Sequence, residues 1–356
     1  MPTIIENRRY LHQIPEIELN TIKTCEYLEN ILNEYDCTIE HPIENSVTAY
    51  FDNNKKETIV FRSDMDALPI QENTDLPFKS TNGYMHACGH DGHMAMVLEL
   101  AKYAKESKYN VLLLFQPGEE KPGGAKKIIK TGYFNKYNIH AIYGTHIYPG
   151  LPKGEVYTRA NEFMAGGCEF ELMVYGKSSH AAQPQKGINA LTAAVQLIQH
   201  TLDEEKDTFD ENTFHLLHFG VFHSGTAFNI IAGNAHVKGS IRYYDPKVFD
   251  TITHIIQKYQ KEIEDEFKVK TEFQINHHYP PVINNKALFK DVKDIVNELK
   301  EPVLISEDFA YYKNVAPSLF FFLGTGEDIP LHSDKFTFDE DILYKGVENY
   351  RKLLNK

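Results

Sequence analysis

The chain has 356 residues, 42% hydrophobic and 24% charged, the balance of a folded globular protein with length enough for two domains. A formal net charge of −13 argues against a nucleic-acid surface, and no basic amphipathic helix is offered to a membrane. There is no run of about 18 apolar residues for a transmembrane helix, the start MPTIIENRRYLHQIPE lacks an apolar export core, and Cys25, Cys37, Cys88 and Cys168 show no framework spacing, which fits a reducing cytoplasm.

Ile22, Cys25, Leu28, Leu32 and Tyr35 recur at helical spacing and predict an early helix. Nearly continuous apolar runs follow: TIVFRS at 58–63, VLLLF at 111–115, AIYGT at 141–145 and, much later, LFFFLG at 319–324. Such runs, bounded by turn residues, predict strands buried on both faces of a helix-covered, mostly parallel sheet. Helical patterns at 94–104 and 124–132 alternate with them, the order of an α/β domain.

The middle of the chain is patterned differently. CEFELMVY at 168–175 alternates, with Phe170, Leu172 and Val174 on one face. A helix follows with Leu191, Ala194, Val195, Ile198 and Leu202 on one stripe, then strands at 213–222 and 235–244. A longer helix carries Val248, Ile252, Ile256, Tyr259 and Ile263, and VKTEFQI at 269–275 alternates again. The order β-α-β-β-α-β is a ferredoxin-like unit complete in itself. The expected architecture is α/β: a catalytic domain of residues 1–165 and 277–356, interrupted by an inserted ferredoxin-like domain of residues 166–276.

The chemistry gathers where the apolar runs end. Asp64-Met65-Asp66 follows the first, Glu119-Glu120 the second and His146 the third, with His332 after the last; MHACGHDGH at 85–93 precedes a predicted helix. In open α/β sheets, ligands collect beyond the carboxyl ends of the strands. Alone, Cys88 reads as a small buried hydrophobe and Glu119-Glu120 as a solvated loop pair. Five segments converging on one rim point instead to metal. A thiolate (Cys88), imidazoles (His90, His146, His332) and a carboxylate (Glu120) suit Zn, Mn, Co or Ni better than Mg. Five ligands exceed one tetrahedral ion, so two divalent ions sharing a bridging group are expected. Glu119 is then left to act as general base toward metal-bound water. Asp64 or Asp66 is expected to fix a ligating imidazole, and His93 to hydrogen-bond rather than ligate. His12 reads as structural, and His277 and His278 as packing near the domain boundary.

RRYLHQIPE at 8–16, FRSDMDALP at 61–69, MHACGHDGHM at 85–94, QPGEE at 116–120, GTHIYP at 144–149, GKSSHAAQP at 176–184 and SEDF at 306–309 occur in this order. The series resembles the M20 metallopeptidase clan, and the cysteine of CGHDGH with the DMDALP form resembles its amidohydrolase subfamily. The resemblance implies a dinuclear metal-dependent hydrolase of N-acyl amino acids, N-acetyldiaminopimelate deacetylase of lysine biosynthesis first among them. General N-acyl-amino-acid or hippurate hydrolysis is the second reading and aminopeptidase or dipeptidase activity the third. It also implies Cys88, His90, Glu120, His146 and His332 as metal ligands, Glu119 as base, Asp66 as a catalytic aspartate, and His180 as the group that reaches the carbonyl oxygen. Asn229 and Arg242 match positions near the substrate carboxylate, which an arginine can grip with two parallel hydrogen bonds. The inserted domain becomes a lid and dimerisation surface, with the lid histidine able to come from a neighbouring subunit of a homodimer or larger homo-oligomer.

Two departures stand out. Asp64 occupies a place where other clan members carry a metal-binding histidine, and Ser178-Ser179 replace a glycine pair before His180. Outside catalysis, the same residues would suit a metal-binding module without turnover, or a thiol sensor built on Cys88.

Overall fold

Thr3 opens the first helix with a capping box, its hydroxyl accepting from Glu6 N at 3.2 Å while Thr3 N donates to Glu6 Oε2 at 2.7 Å. This helix, α1 (Ile4–Gln13), escapes the apolar periodicity because its buried face mixes Ile4 and Leu11 with Asn7, Arg8 and His12. The capping box was the signal that could have revealed it. The computed structural model describes residues 1–356. After α1 come α2 (Ile22–Leu32) and strands β1 (Thr38–Glu40), β2 (Val47–Phe51) and β3 (Thr58–Asp64). Next are α3 (His90–Leu100), β4 (Asn110–Gln116), α4 (Gly124–Lys130), β5 (Ile139–Tyr148), β6 (Val156–Thr158) and β7 (Asn161–Met164). The middle holds β8 (Gly166–Tyr175), β9 (Ser179–His180), α5 (Ala190–Thr208), β10 (His215–Ser224), β11 (Ile230–Ile231), β12 (Asn234–Tyr243), α6 (Pro246–Phe267) and β13 (Lys270–Tyr279). The chain finishes with β14 (Val282–Asn284), α7 (Lys286–Val292), β15 (Asn297–Glu298), β16 (Ser318–Gly324) and α8 (Ile342–Leu353).

Two compact units result. The first comprises residues 1–163, 282–302 and 307–356; the second comprises 164–281 and 303–306. In the first, eight strands form one sheet in the order β1-β2-β4-β3-β5-β16-β6-β15, with β4–β3, β3–β5, β5–β16 and β6–β15 parallel. Every residue of β3, β4 and β16 is buried, as expected of a sheet covered on both faces. Helix α3 is buried at all but Glu99 and has no polar face, which marks a central helix rather than a surface one. It packs between α1 and α8 and against β3. No helix is long and apolar enough to cross a membrane.

The second unit is an antiparallel sheet in the order β10-β12-β8-β13, and α5 and α6 share its apolar core. Cys168, Phe170, Leu172 and Val174 of β8 lie in that core, while Glu171 on the other face pairs with His236 and Lys238. The stripe predicted for α5 is shifted. Ala190, Ala193, Ala194, Leu197 and Thr201 are the buried residues, whereas Leu191 and Val195 are exposed. Small alanines let the helix lie close to the sheet, and the larger residues flank that contact. A separate ribbon pairs β9 with β11, His180 opposite Ile230.

Candidate metal centre

Each strand end delivers its residues by a local device. Gly89, the N-cap of α3, has φ +82°, a left-handed conformation that strains any residue with a Cβ. That turn puts Cys88 before the helix and makes His90 its first residue. Beyond β4, the Pro117-Gly118 turn brings Glu119 and Glu120 around so that their N–H groups donate to Asp66 Oδ1 and Oδ2, at 2.8 and 3.1 Å. Asp66 therefore clamps the backbone of the acidic pair. His146 lies within β5. His332 has φ +64°, uncommon for a non-glycine residue, and its N–H donates to Ala87 O at 2.9 Å, tying it to the turn that carries Cys88.

These residues converge. Cys88 Sγ lies 3.4 Å from His146 Nε2 and 3.4 Å from His332 Nε2, and His332 Nε2 lies 3.2 Å from Glu120 Oε1. Cys88, His90 and His146 form one group of donor atoms within 4.8 Å of one another, and Cys88, Glu120 and His332 form a second. Cys88 is common to both. His90, Glu119 and Glu120 form another such group. His90 Nδ1 donates to Asp66 O at 2.7 Å and His146 Nδ1 to Ile147 O at 2.6 Å, so both rings present a bare Nε2. His90 Nε2 is buried without any hydrogen-bond partner, although Asp64 and Glu119 oxygens lie 3.8 and 3.9 Å away.

The electrostatics ask for a cation. Asp64, Asp66, Glu119, Glu307 and Asp308 are all buried, with Arg62 the buried guanidinium among them. Burial, reinforced by Glu120, pushes the Asp66 carboxyl well above its usual range; burial, Glu307 and Glu120 do the same for Glu119. The Cys88 thiol is likewise raised, by burial and then by Glu120 and Glu119. Burial opposes ionisation of Glu120 too, but the His332 hydrogen bond, the charges of His90 and His332 and the Cys88 hydrogen bond together outweigh it, and the net shift is downward. Positive charge among these donors reverses the upward shifts, and thiolate with imidazole and carboxylate is a set that borderline-soft divalent ions bind. The residues fit a metal centre.

Sequence reasoning missed the support beneath it. Arg62 donates to Asp64 Oδ2 (2.8 Å), Asp308 Oδ1 (2.7 Å) and Gln116 Oε1 (3.0 Å), and pairs with Glu307 at 3.1 Å. The available signal was a lone arginine inside the apolar run TIVFRS. Asp64 hydrogen-bonds His93 at 2.7 Å, and the imidazole of His90 is held by the Asp66 carbonyl rather than by either carboxylate.

The remaining candidates lie in the second unit. His180 is exposed on the β9–β11 ribbon, and Ala182 N donates to its Nδ1 at 3.1 Å, leaving Nε2 as the protonated donor. Asn229 is exposed beside it, its carbonyl accepting from Ala181 N at 2.9 Å. Arg242 is not with that pair. It lies on β12, eight residues beyond Asn234, where the ribbon leaves the sheet, a strand span of about 27 Å.

Comparison with known proteins bears on these observations. The sequence profile of peptidase family M20/M25/M40 matches residues 60–356. An uncharacterized hydrolase of Staphylococcus epidermidis is 35% identical over 372 residues, covering 98% of this chain and 96% of its own. A crystallised chain from methicillin-resistant Staphylococcus aureus superposes with a TM-score of 0.90 at 31% identity, over 99% of this chain and 96% of the other. The Bacillus subtilis YXEP protein, a dinuclear metal binding peptidase of the M20 family, superposes at 0.83 with 28% identity over the same shares.

Proposed function

This chain belongs to peptidase family M20/M25/M40 and is a metal-dependent hydrolase of amide bonds, and we propose that its substrates are N-acyl amino acids, N-acetyldiaminopimelate first among them. The observation that carries the reading is the pair of donor groups sharing Cys88, with Glu119 alongside. Cys88, His90 and His146 would hold one divalent ion, and Cys88, Glu120 and His332 the other. When bound, such ions polarise an amide carbonyl and lower the pKa of water from about 15.7 toward about 7.

The chain's own groups complete the chemistry. Glu119, its backbone clamped by Asp66, takes the proton of the attacking water and returns it to the departing amine. His180 Nε2–H donates to the carbonyl oxygen as negative charge develops there. Arg242 and Asn229 bind the substrate carboxylate. A small acyl amino acid cannot bridge the length of β12, which supports a homodimer in which His180 and Asn229 act on substrate held by the neighbouring chain. The second unit is then both lid and dimerisation element.

Broader acyl-amino-acid hydrolysis is the second reading: the PGGA stretch at 122–125, which resembles the deacetylase branch, also serves the turn itself, because a Cβ on Gly124 would lie 1.8 Å from Pro117 O. Amine release from N-acetyl-L,L-diaminopimelate, N-acetylmethionine, hippurate and a dipeptide, before and after adding Mn, Zn, Co or Ni to metal-free protein, tests both readings. Turnover restored by a divalent ion is expected, and the preferred substrate separates deacetylase from general acylase. Equal activity without metal would defeat the proposal.

A further inference from the structure

MHACGHDGH contains three histidines in three different situations. Both ring nitrogens of His86 are buried without a partner, His90 engages only Nδ1, and His93 engages both. Asp64 Oδ1 lies 2.7 Å from His93 Nδ1, and Ile147 N lies 2.8 Å from His93 Nε2. A backbone N–H can only donate, so Nε2 is the bare nitrogen and Nδ1 carries the proton shared with Asp64. Neither nitrogen is then available to an ion, although the donor atoms of Asp64, His90 and His93 lie within 4.8 Å of one another. The second oxygen of Asp64 is held by Arg62 at 2.8 Å. All three side chains are buried.

The backbone that His93 holds is the one that aims a candidate ligand. Ile147 donates its N–H to His93 Nε2 and offers its carbonyl to His146 Nδ1 at 2.6 Å. The rings of His93 and His146 pack edge to face, 4.6 Å between centroids. We propose that Arg62, Asp64, His93 and the Ile147 backbone form a fixed hydrogen-bond chain that directs His146 Nε2 at the metal centre, so that His93 is a positioning residue and not a ligand. The inference rests on the reading of His146 as a ligand. It explains why a histidine stands at position 93: no other side chain there both donates to a carboxylate and accepts from a backbone N–H through one rigid ring.

Two variants and one spectrum test it. His93→Gln places an amide oxygen where Nε2 accepts from Ile147, whereas His93→Asn retains only a donor toward Asp64. With Co or Zn titrated into metal-free protein and followed by calorimetry and, for Co, the visible spectrum, wild type takes up two ions per chain. His93→Gln keeps both within about threefold in affinity, and His93→Asn weakens one by about 10- to 100-fold. Equal loss of an ion in both variants makes His93 a ligand and overturns the proposal; unchanged affinity in both overturns it as well. Fewer than two ions on wild type counts against the dinuclear reading, not the hydrogen-bond chain. That chain is tested separately by the 15N imidazole spectrum of metal-free wild type, where the Nδ1–H tautomer is expected for His93 and the Nε2–H tautomer would refute it.

Discussion

A glycine decides where one of the candidate substrate groups lies. An added Cβ on Gly167 of β8 would fall 1.8 Å from Arg242 Nη1 and 2.8 Å from Ser306 Oγ. The guanidinium is the flexible end of its side chain, so Gly167→Ala displaces it without breaking the sheet. The expected outcome is specific: KM for N-acyl amino acids rises about 10- to 100-fold, the scale of a hydrogen bond to a charged group. The carboxamide analogue of the same substrate, which offers no carboxylate, keeps its kcat/KM. Steady-state kinetics on the two analogues, with a thermal melt to confirm folding, decides it. Nothing in the string AGGCEF announces this, because Arg242 is 75 positions away. Cys88, Glu119 and His332, by contrast, are legible in sequence once their types are taken together with the other donors gathered near the ends of the apolar runs.

At the scale of elements, α1 is clasped to the first turn of α3. Arg8 Nε and His12 Nδ1 both reach Asp91 Oδ2, at 2.8 and 2.9 Å, and His12 Nε2 lies 3.1 Å from Glu72 Oε1. Asp91 directly follows His90, so the clasp also seats the helix that begins at this candidate ligand. A carboxylate here is favoured by the helix N-terminus as well. Burial alone would push the His12 pKa down, but Asp91 and Glu72 hold it above its usual value. Glu72, for its part, is drawn down to about 2 against its own burial, chiefly by His12. A raised folded pKa stabilises fully below the unfolded value near 6.5 and ceases to do so as pH rises through the folded one. His12→Gln therefore costs about 1.5–3 kcal/mol at pH 6 and less at pH 9, a difference that chemical denaturation at the two pH values measures. The helical pattern of α2 was legible in sequence, whereas α1 was not, because its inward face is half polar and is paid for by partners 60 to 80 positions away.

For the whole molecule, the separation of Arg242 from His180 along β12 makes a claim about assembly. If His180 acts on a neighbouring chain's substrate, Glu119→Gln and His180→Ala should each be nearly inactive alone. Random mixing of the two would give one intact site in every mixed dimer, and about a quarter of wild-type activity. A mixture as inactive as its components would show that each chain completes its own site. Denaturing and refolding the two together, then assaying, checks the point.

Periodicity and residue type are local properties, so the sequence by itself determined the buried strands of the α/β sheet, the ferredoxin-like order of the middle segment and the list of soft and hard donors. Tertiary structure decided which of those donors face one another and which nitrogen each imidazole presents. It also decided that Arg62, 246 positions from Asp308, is the buried counter-charge of the site, and that His93 points its two nitrogens at Asp64 and Ile147. The reason is the same in each case: a side chain's protonation, orientation and availability depend on its partners in space, and here those partners are brought together by long-range strand pairing and by the packing of α3 and the loops against the sheet.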